Sequence, residues 1–182
     1  MRAKSNAMAA VVRQLVPDDA AAYIEVRCEA LEREPFAFAA SREDDRAGSL
    51  AFVREAFASP DRATFGAFSP ALLGIVGVGQ DAHRKASHKA HVWGLYVQPS
   101  QRRAGVGRAL MMAALSFARR LPGVSQVHLA VAHTSTSAIR LYDSLGFVVW
   151  GTAPDALRVG GESVAEHHML LELDARAADH SG

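Results

Sequence analysis

Val92-Trp-Gly-Leu-Tyr-Val97 is an apolar, strand-like run that leads directly into the turn Gln98-Pro-Ser-Gln-Arg-Arg-Ala-Gly-Val-Gly-Arg108. A helical pattern of apolar residues follows, so a strand is predicted to pass through this turn into the start of a helix. The first N–H groups of a helix have no partner within it, and the helix dipole adds partial positive charge there. The stretch therefore predicts a binding site for a pyrophosphate-like anion.

The residue types of the turn suit this chemistry. Gly105 and Gly107 have no β-carbon that would hold a phosphate away from the backbone. Arg102, Arg103 and Arg108 can add charge-assisted hydrogen bonds around it. A solvated surface loop would use the same residue types, but the strand before the turn and the helix after it favour the anion site.

The spacing of the glycines disfavours the two commonest nucleotide-binding motifs. The chain contains no G-x-x-x-x-G-K-[ST] loop, and Leu110 stands where a dinucleotide fingerprint would need its third glycine. What remains is the pattern R-x-x-G-x-G over 102–107, directly after a strand.

A second motif lies further along the chain, at Ser135-Thr-Ser-Ala-Ile-Arg-Leu-Tyr-Asp-Ser-Leu-Gly-Phe147. The first motif resembles the acetyl-coenzyme A signature of the GNAT superfamily of N-acetyltransferases. The second resembles the N-x-x-A-x-x-L-Y-x-x-L-G-F segment of that family, and it follows the first with room for one helix and one strand between them. The chain departs from the family pattern at Ser135, where asparagine is common, and at Ala104, where glycine is frequent.

The resemblance covers the chain from about Val11 to Leu173. It implies an α/β (α+β) fold of the GNAT type, with a mixed, mostly antiparallel central sheet flanked by helices. In that fold the fourth and fifth strands splay apart and the cofactor enters the gap. We expect a single domain at 11–173, a flexible N-terminal segment at 1–10 and a polar C-terminal tail at 174–182.

Apolar periodicity and turn residues place the elements of this fold. The predicted strands are Val11–Val16, Thr64–Phe68, Leu72–Gln80, Ala90–Val97, Val127–Ala132, Val148–Gly151 and Ser163–Leu173. The predicted helices run from Pro17 to Glu34, Ser49 to Ala58, Val106 to Leu121, and from within 134–137 to Gly146. The buried residues are expected to be Ile24, Cys28 and Leu31 in the first helix and Leu50, Val53 and Phe57 in the second. Glycines at 74, 77 and 79 predict bends or close approach of the backbone, and Gly160-Gly161 predicts the last turn.

Acetyl transfer to an amine needs hydrogen-bond donors for the thioester oxygen and an acid for the departing thiolate. The resemblance implies that Tyr142 supplies the acid. The alternative is a core tyrosine whose hydroxyl meets a backbone carbonyl. The resemblance implies that the cofactor is bound by Leu95, Tyr96, Val97, Arg102, Arg103, Ala104, Gly105, Val106, Gly107, Arg108 and Ser135. For Ser135, a contact to the pantetheine arm and a role as helix N-cap are both open.

The general base is not assigned by the sequence. The candidates are Glu29, Glu32, Glu34, Glu43, His88 and His91, and a chain of water molecules could replace any of them. Trp93 lies beside the cofactor strand, where it can pack or form an aromatic wall for the acceptor. A metal site is not expected, because His167 and His168 are adjacent in a predicted strand and would face opposite sides of the sheet.

Composition narrows the range of partners. The chain has 182 residues, 49% of them hydrophobic, with 20 Lys and Arg against 19 Asp and Glu, for a formal net charge of +1. No overall charge attracts nucleic acid or an anionic membrane, and an arginine stripe for nucleic acid would need local clustering.

A cytoplasmic location is expected, because the single cysteine, Cys28, cannot form an internal disulfide and no apolar secretory signal precedes Ala10.

Together these features predict an acetyl-coenzyme A-dependent N-acetyltransferase that uses acetyl-coenzyme A as co-substrate and no metal. The acetyl group would move to a primary amine by direct attack within a ternary complex. The acceptor could be a small molecule or a peptide. The alternative function is a sensor or regulatory module that binds acyl-coenzyme A without turnover. Homodimerisation stays open, because closing strands of this fold often meet a partner chain.

Overall fold

The computed structural model describes residues 10–173, so the expected terminal segments lie outside the described residues, Ala10 excepted. Its strands are β1 Val11–Gln14, β2 Arg62–Phe68, β3 Leu72–Gln80, β4 Lys89–Val97, β5 Gln126–Ala132, β6 Val148–Val159 and β7 Glu162–Glu172. Its α-helices are α1 Ala20–Arg33, α2 Leu50–Phe57, α3 Val106–Arg120 and α4 Thr136–Ser144. Within this part of the chain, no helix is both long enough and apolar enough to cross a membrane.

The strands form one seven-stranded sheet in the order β1-β2-β3-β4-β5-β7-β6. Every neighbouring pair is antiparallel except β4 and β5, which run parallel. The predicted mixed, mostly antiparallel sheet is therefore confirmed. The parallel pair needs a crossover, and α3 provides it.

The splay of β4 and β5 is also confirmed. The two strands pair only from Lys89 opposite Gln126 to His91 opposite His128, although both continue beyond this point. An irregularity in β4 accompanies the separation, since Ile75 pairs with Tyr96 but Gly77 pairs with Trp93. The extra residue places a bulge at Gly94, whose φ is 65°. A bulge of this kind bends its strand and increases the local twist.

Two apolar layers cover the sheet. On one face, α3 and α4 pack on β2 to β5 and β7, with Leu110, Met111 and Met169 fully buried. On the other face, α1 packs on β3 and α2 packs on β2, around Leu15 and Ile75. On this face the helices α1 and α2 cover the half of the sheet that contains β1 to β4, and they do not cover β5 to β7.

The buried face of α1 differs from the predicted one. Leu31 is buried as predicted, but Ile24 and Cys28 are only partly buried. The other core residues are Ala20, Tyr23, Val26 and Ala30, which repeat at intervals of three and four, as in any amphipathic helix. The large ring of Tyr23 sets this register, because it packs edge-on against Phe57 of α2 at 5.2 Å between centroids. In α2, Val53 and Phe57 are buried as predicted, whereas Leu50 is exposed.

The glycines of β3 accommodate neighbouring groups. An added β-carbon at Gly77 would lie 2.3 Å from the indole nitrogen of Trp93, and one at Gly79 would lie 3.2 Å from the same ring. The indole therefore occupies the space beside two residues without side chains. At Gly74 the close neighbour is the backbone carbonyl of Tyr96, at 3.0 Å.

Strand β6 is longer than predicted, since it continues past Gly151 to Val159. The continuation contains Pro154 and Asp155, residues that are rare in strands, and its pairing with β7 is irregular between Ala153 and Leu157. An edge strand tolerates both, because β6 has a neighbour on one side only. The predicted turn at Gly160-Gly161 is confirmed, with φ of 58° and 88°.

Candidate active site

The turn before α3 presents unpaired backbone donors. The N–H of Arg102 donates to the carbonyl of Pro99, and that of Ala109 donates to the carbonyl of Gly105. Between them, the N–H groups of 103–108 donate to no acceptor in the described chain. Arg103 and Gly105 adopt positive φ, 64° and 79°, which turns consecutive N–H groups to one side.

The space in front of these donors is open. A β-carbon added to Gly105 would meet no heavy atom within 4 Å. Gly105 is the N-cap of α3 and no side chain caps the helix there. A row of free N–H groups at a helix N-terminus, with open space beside Gly105, fits a diphosphate.

The three arginines of the turn are placed differently from one another. Arg102 donates from Nε to the carbonyl of Val97 at 2.9 Å and from Nη2 to Glu34 at 2.7 Å, so its side chain ties the turn to β4 and α1. Arg108 donates to Ser144 Oγ at 3.0 Å and so connects α3 to α4. Arg103 is exposed. A direct contact of any of the three guanidinium groups with phosphate stays a prediction.

A cleft opens where β4 and β5 separate. It has a volume of about 60 Å³ and is bounded by both strands, by α4 and by the loop after α1. Its lining residues are Ala37, Val92, Trp93, Gly94, Leu95, Leu129, Ala130, Val131, Ala132, Ser135, Ala138 and Tyr142. The structure thus brings Leu95, Ser135 and Tyr142 together. Sequence reasoning missed Ala37 and the β5 residues; the β5 residues follow from the splay itself, because the facing strand must form the second wall.

The backbone of β4 directs donors into this cleft. The N–H of Gln98 donates to the carbonyl of Leu73 on β3. Because N–H groups along a strand alternate between its two sides, that of Val97 points toward β5, where pairing has ended. Tyr96 is different, since its side chain is buried on the α1 face and donates from its hydroxyl to Glu29 at 3.0 Å.

Tyr142 lies on α4 with its ring against Phe147, at 5.9 Å between centroids. The side chain is buried and lines the cleft, and its hydroxyl forms no hydrogen bond with any described residue. The alternative in which a backbone carbonyl accepts from this hydroxyl is therefore not observed. Burial raises the pKa of Tyr142 above its ordinary value, so the phenol keeps its proton at physiological pH.

Ser135 occupies the N-cap position of α4, but its hydroxyl does not cap the helix. Its carbonyl accepts from the N–H groups of Ala138 and Ile139 instead. The hydroxyl makes no hydrogen bond within the described chain and belongs to the cleft wall, where it is available to a ligand.

None of the six candidates for the general base lines the cleft. Glu29 accepts from Tyr96 and from Gln98 at 2.9 Å, and burial together with this carboxylate raises the pKa of Tyr96 to about 12. Other candidates are engaged as well, since Glu34 pairs with Arg102 and His91 contacts Asp81 at 3.3 Å. Glu32 pairs with Arg42 on the surface.

His128, at the root of the splay, was not singled out by sequence reasoning. Its ring lies 5.8 Å from that of His91 and 6.5 Å from that of Trp150. Burial lowers the pKa of His128, and the neighbouring basic side chains of His91, Lys89 and His88 lower it further. The folded protein therefore favours the neutral ring.

A pH-dependent loss of stability is expected from this histidine. The unfolded chain takes up a proton at His128 as the pH falls below about 6.5, whereas the folded chain resists it until its own, lower pKa. The free energy of unfolding should therefore decrease between pH 7.5 and pH 5 by more in the parent than in His128→Gln. Urea unfolding at the two pH values measures this. Equal decreases in the two proteins would show that His128 does not contribute.

Comparisons with known proteins agree with this geometry. The profile of the Acetyltransferase (GNAT) family matches residues 16–147. Among curated proteins, the chain is 48% identical over 54 residues to mycothiol acetyltransferase of Thermobispora bispora, covering 30% of this chain and 18% of that protein. It is 36% identical over 104 residues to N-acetyltransferase aca1 of Schizosaccharomyces pombe, covering 57% of this chain and 49% of that protein. The chain thus spans half or less of the length of these relatives.

Solved structures share the whole fold. The structure of yncA from Salmonella typhimurium with its cofactor acetyl-CoA has a TM-score of 0.80 at 23% identity, covering 95% of this chain and 99% of that one. A GCN5-related N-acetyltransferase from Kribbella flavida has a TM-score of 0.74 at 26% identity, covering 91% and 98%. The predicted fold class and family are confirmed, and the chain belongs to the acetyltransferase (GNAT) family.

Proposed function

We propose that this chain is an acetyl-coenzyme A-dependent N-acetyltransferase that acetylates a primary amine, on a small molecule or a peptide, by direct attack in a ternary complex. The observation that carries the proposal is the row of unpaired N–H groups at 103–108, close to the strand that forms one wall of an open cleft. A diphosphate at the turn and the narrow, amide-bearing arm of the cofactor in the cleft match the two ends of this arrangement. Acetyl-coenzyme A would supply the activated acetyl group as a thioester.

The residues of the cleft then have separate tasks. Backbone N–H groups of the segment from Leu95 to Val97 that face the cleft stabilise the negative charge that develops on the thioester oxygen. Tyr142 is protonated and without a hydrogen-bond partner in the described chain, so it can donate to the departing sulfur. The hydroxyl of Ser135 can hydrogen-bond to the arm of the cofactor. The proton of the amine leaves to water, because no described carboxylate or histidine lines the cleft.

The relatives support acetyl transfer without identifying the acceptor. Their names include a mycothiol acetyltransferase and a ribosomal-protein-alanine N-acetyltransferase from Brucella melitensis, the latter 19% identical. An assay of free thiol released from acetyl-coenzyme A across a broad panel of amines tests the proposal. Thiol release that depends on an amine supports it. Tight binding of acetyl-coenzyme A without turnover of any amine would instead favour a sensor.

Direct transfer makes a prediction about Cys28. This thiol is the only one in the chain, it lies on α1 and it does not line the cleft. Incubation with radiolabelled acetyl-coenzyme A and no acceptor should leave no label on the protein, and Cys28→Ala should retain the kcat of the parent. A stoichiometric acetyl adduct at Cys28 that is consumed when amine is added would contradict direct transfer.

A further inference from the structure

A second cavity lies against the cleft and shares a wall with it. The cavity has a volume of about 240 Å³ and lies between α1, α2 and the start of β2. We call it the aromatic pocket; its lining residues are Tyr23, Arg27, Asp45, Arg46, Ala47, Phe52, Val53, Ala56, Phe57, Arg62, Thr64 and Trp93. Trp93 lines both spaces.

Contacts at the β4 bulge show how close the two spaces are. Trp93 directly precedes Gly94, and a β-carbon added to Gly94 would lie 3.3 Å from Nη1 of Arg27. The guanidinium of Arg27 therefore lies close to the bulge. Because Trp93 lines both spaces, the aromatic pocket and the cleft are neighbours across this residue.

The walls of the aromatic pocket offer apolar surface to a bound molecule. The rings of Tyr23 and Phe57 pack edge-to-face against each other in its wall. Phe52 of α2 contributes a third ring. Trp93 is 43% exposed although its ring covers Gly77 and Gly79. An indole held in place on one side and open on the other is suited to contact a small apolar group.

The charges around the aromatic pocket are unbalanced. Arg27 and Asp45 neutralise each other at 2.8 Å, with only 11% of each side chain exposed. Arg46 lies over the Phe52 ring at 4.6 Å, and neither Arg46 nor Arg62 pairs with a carboxylate in the described chain. Arg46 and Arg62 therefore bring two positive charges to the wall of the pocket that no carboxylate of the described chain pairs with. Guanidinium groups bind carboxylates with two parallel hydrogen bonds.

We infer that the aromatic pocket selects an acceptor amine that also carries a carboxylate and an apolar body of about the size of an amino-acid side chain. This inference rests on the proposed function. The apolar body would contact Phe52, Phe57 and Trp93, and the carboxylate would bind Arg46 and Arg62. The amine would then pass Trp93 into the cleft. Acceptors that are purely cationic would be disfavoured by the same two arginines.

Matched probes separate the carboxylate from the rest of the acceptor. We would measure binding of L-phenylalanine, L-phenylalaninamide and 2-phenylethylamine to the coenzyme A-saturated protein by calorimetry, and their acetylation by thiol release. The acid should bind about tenfold more tightly than the amide, since one charge-assisted hydrogen bond is worth about that factor. Equal or weaker binding of the acid would overturn the inference, whether or not any probe is acetylated.

Variants test the named residues. Arg62→Gln and Arg46→Gln should each weaken binding of L-phenylalanine about tenfold and leave binding of L-phenylalaninamide unchanged. Arg54→Gln is the matched control, because Arg54 is an exposed arginine of α2 outside the pocket. An equal effect of all three substitutions would overturn the inference.

The two proposals fail in different ways. Acetylation of neutral amines with no preference for the acid would remove the inference and keep the proposed function. Selective binding of the acid without acetylation of any amine would keep the inference about the pocket and remove the proposed function.

Discussion

Tyr142→Phe is expected to lower kcat by at least about a hundredfold while leaving the affinity for acetyl-coenzyme A unchanged, a factor typical of the loss of one general acid. The hydroxyl has no partner among the described residues, so its removal breaks no hydrogen bond in the folded protein. The ring stays in place because Phe147 and the cleft wall pack against it. The effect should therefore fall on the chemical step alone.

Three measurements separate this expectation from a structural effect. Steady-state kinetics with a saturating amine gives kcat, calorimetry with coenzyme A gives the affinity, and urea unfolding gives the free energy of unfolding. The affinity for coenzyme A and the free energy of unfolding of the variant should match those of the parent. A phenylalanine variant with the kcat of the parent would show that the thiolate leaves without help from Tyr142.

Much of the fold could be predicted because its signals are local. The hairpin of β2 and β3, the strand that enters α3 and the Gly160-Gly161 turn all depend on residues adjacent in the chain. The buried face of α1 could not be predicted in this way, because it depends on residues that are distant in sequence. Tyr23 faces the core because Phe57 packs on it from another helix, and no short window of sequence contains both residues.

In the candidate site, too, the features that depend on adjacent residues could be predicted and those that depend on distant residues could not. The unpaired N–H groups at 103–108 follow from a strand, two glycines and a helix start, all of which the sequence displays. The bulge at Gly94 was not predicted, because a glycine within a strand has several roles and only the pairing with β3 reveals an extra residue. The side chain of Arg102 depends on Glu34, which is distant in sequence. The aromatic pocket depends on three separate elements.

Gly105→Ala tests the anion site at the start of α3. With φ at 79°, an L-residue at this position costs about 1 kcal/mol of folding stability. The new methyl group would meet no protein atom within 4 Å, so a loss of affinity would come from the strained φ at the turn or from contact with the ligand itself. We expect the dissociation constant for coenzyme A to rise at least tenfold, which corresponds to about 1.4 kcal/mol.

Gly123→Ala is the matched control. Gly123 follows α3 at its far end, has a φ of 73° and likewise has no heavy atom within 4 Å of an added β-carbon. The two variants should therefore lose similar amounts of folding stability in urea unfolding. Only Gly105→Ala should lower the affinity for coenzyme A.

Titration calorimetry of coenzyme A into the parent, Gly105→Ala and Gly123→Ala tests most directly whether the free N–H groups at 103–108 hold the diphosphate. The parent and Gly123→Ala should bind with the same dissociation constant, and Gly105→Ala should bind at least about tenfold more weakly. No heat of binding in the folded parent, or equal affinity in all three proteins, would contradict the assignment of this turn.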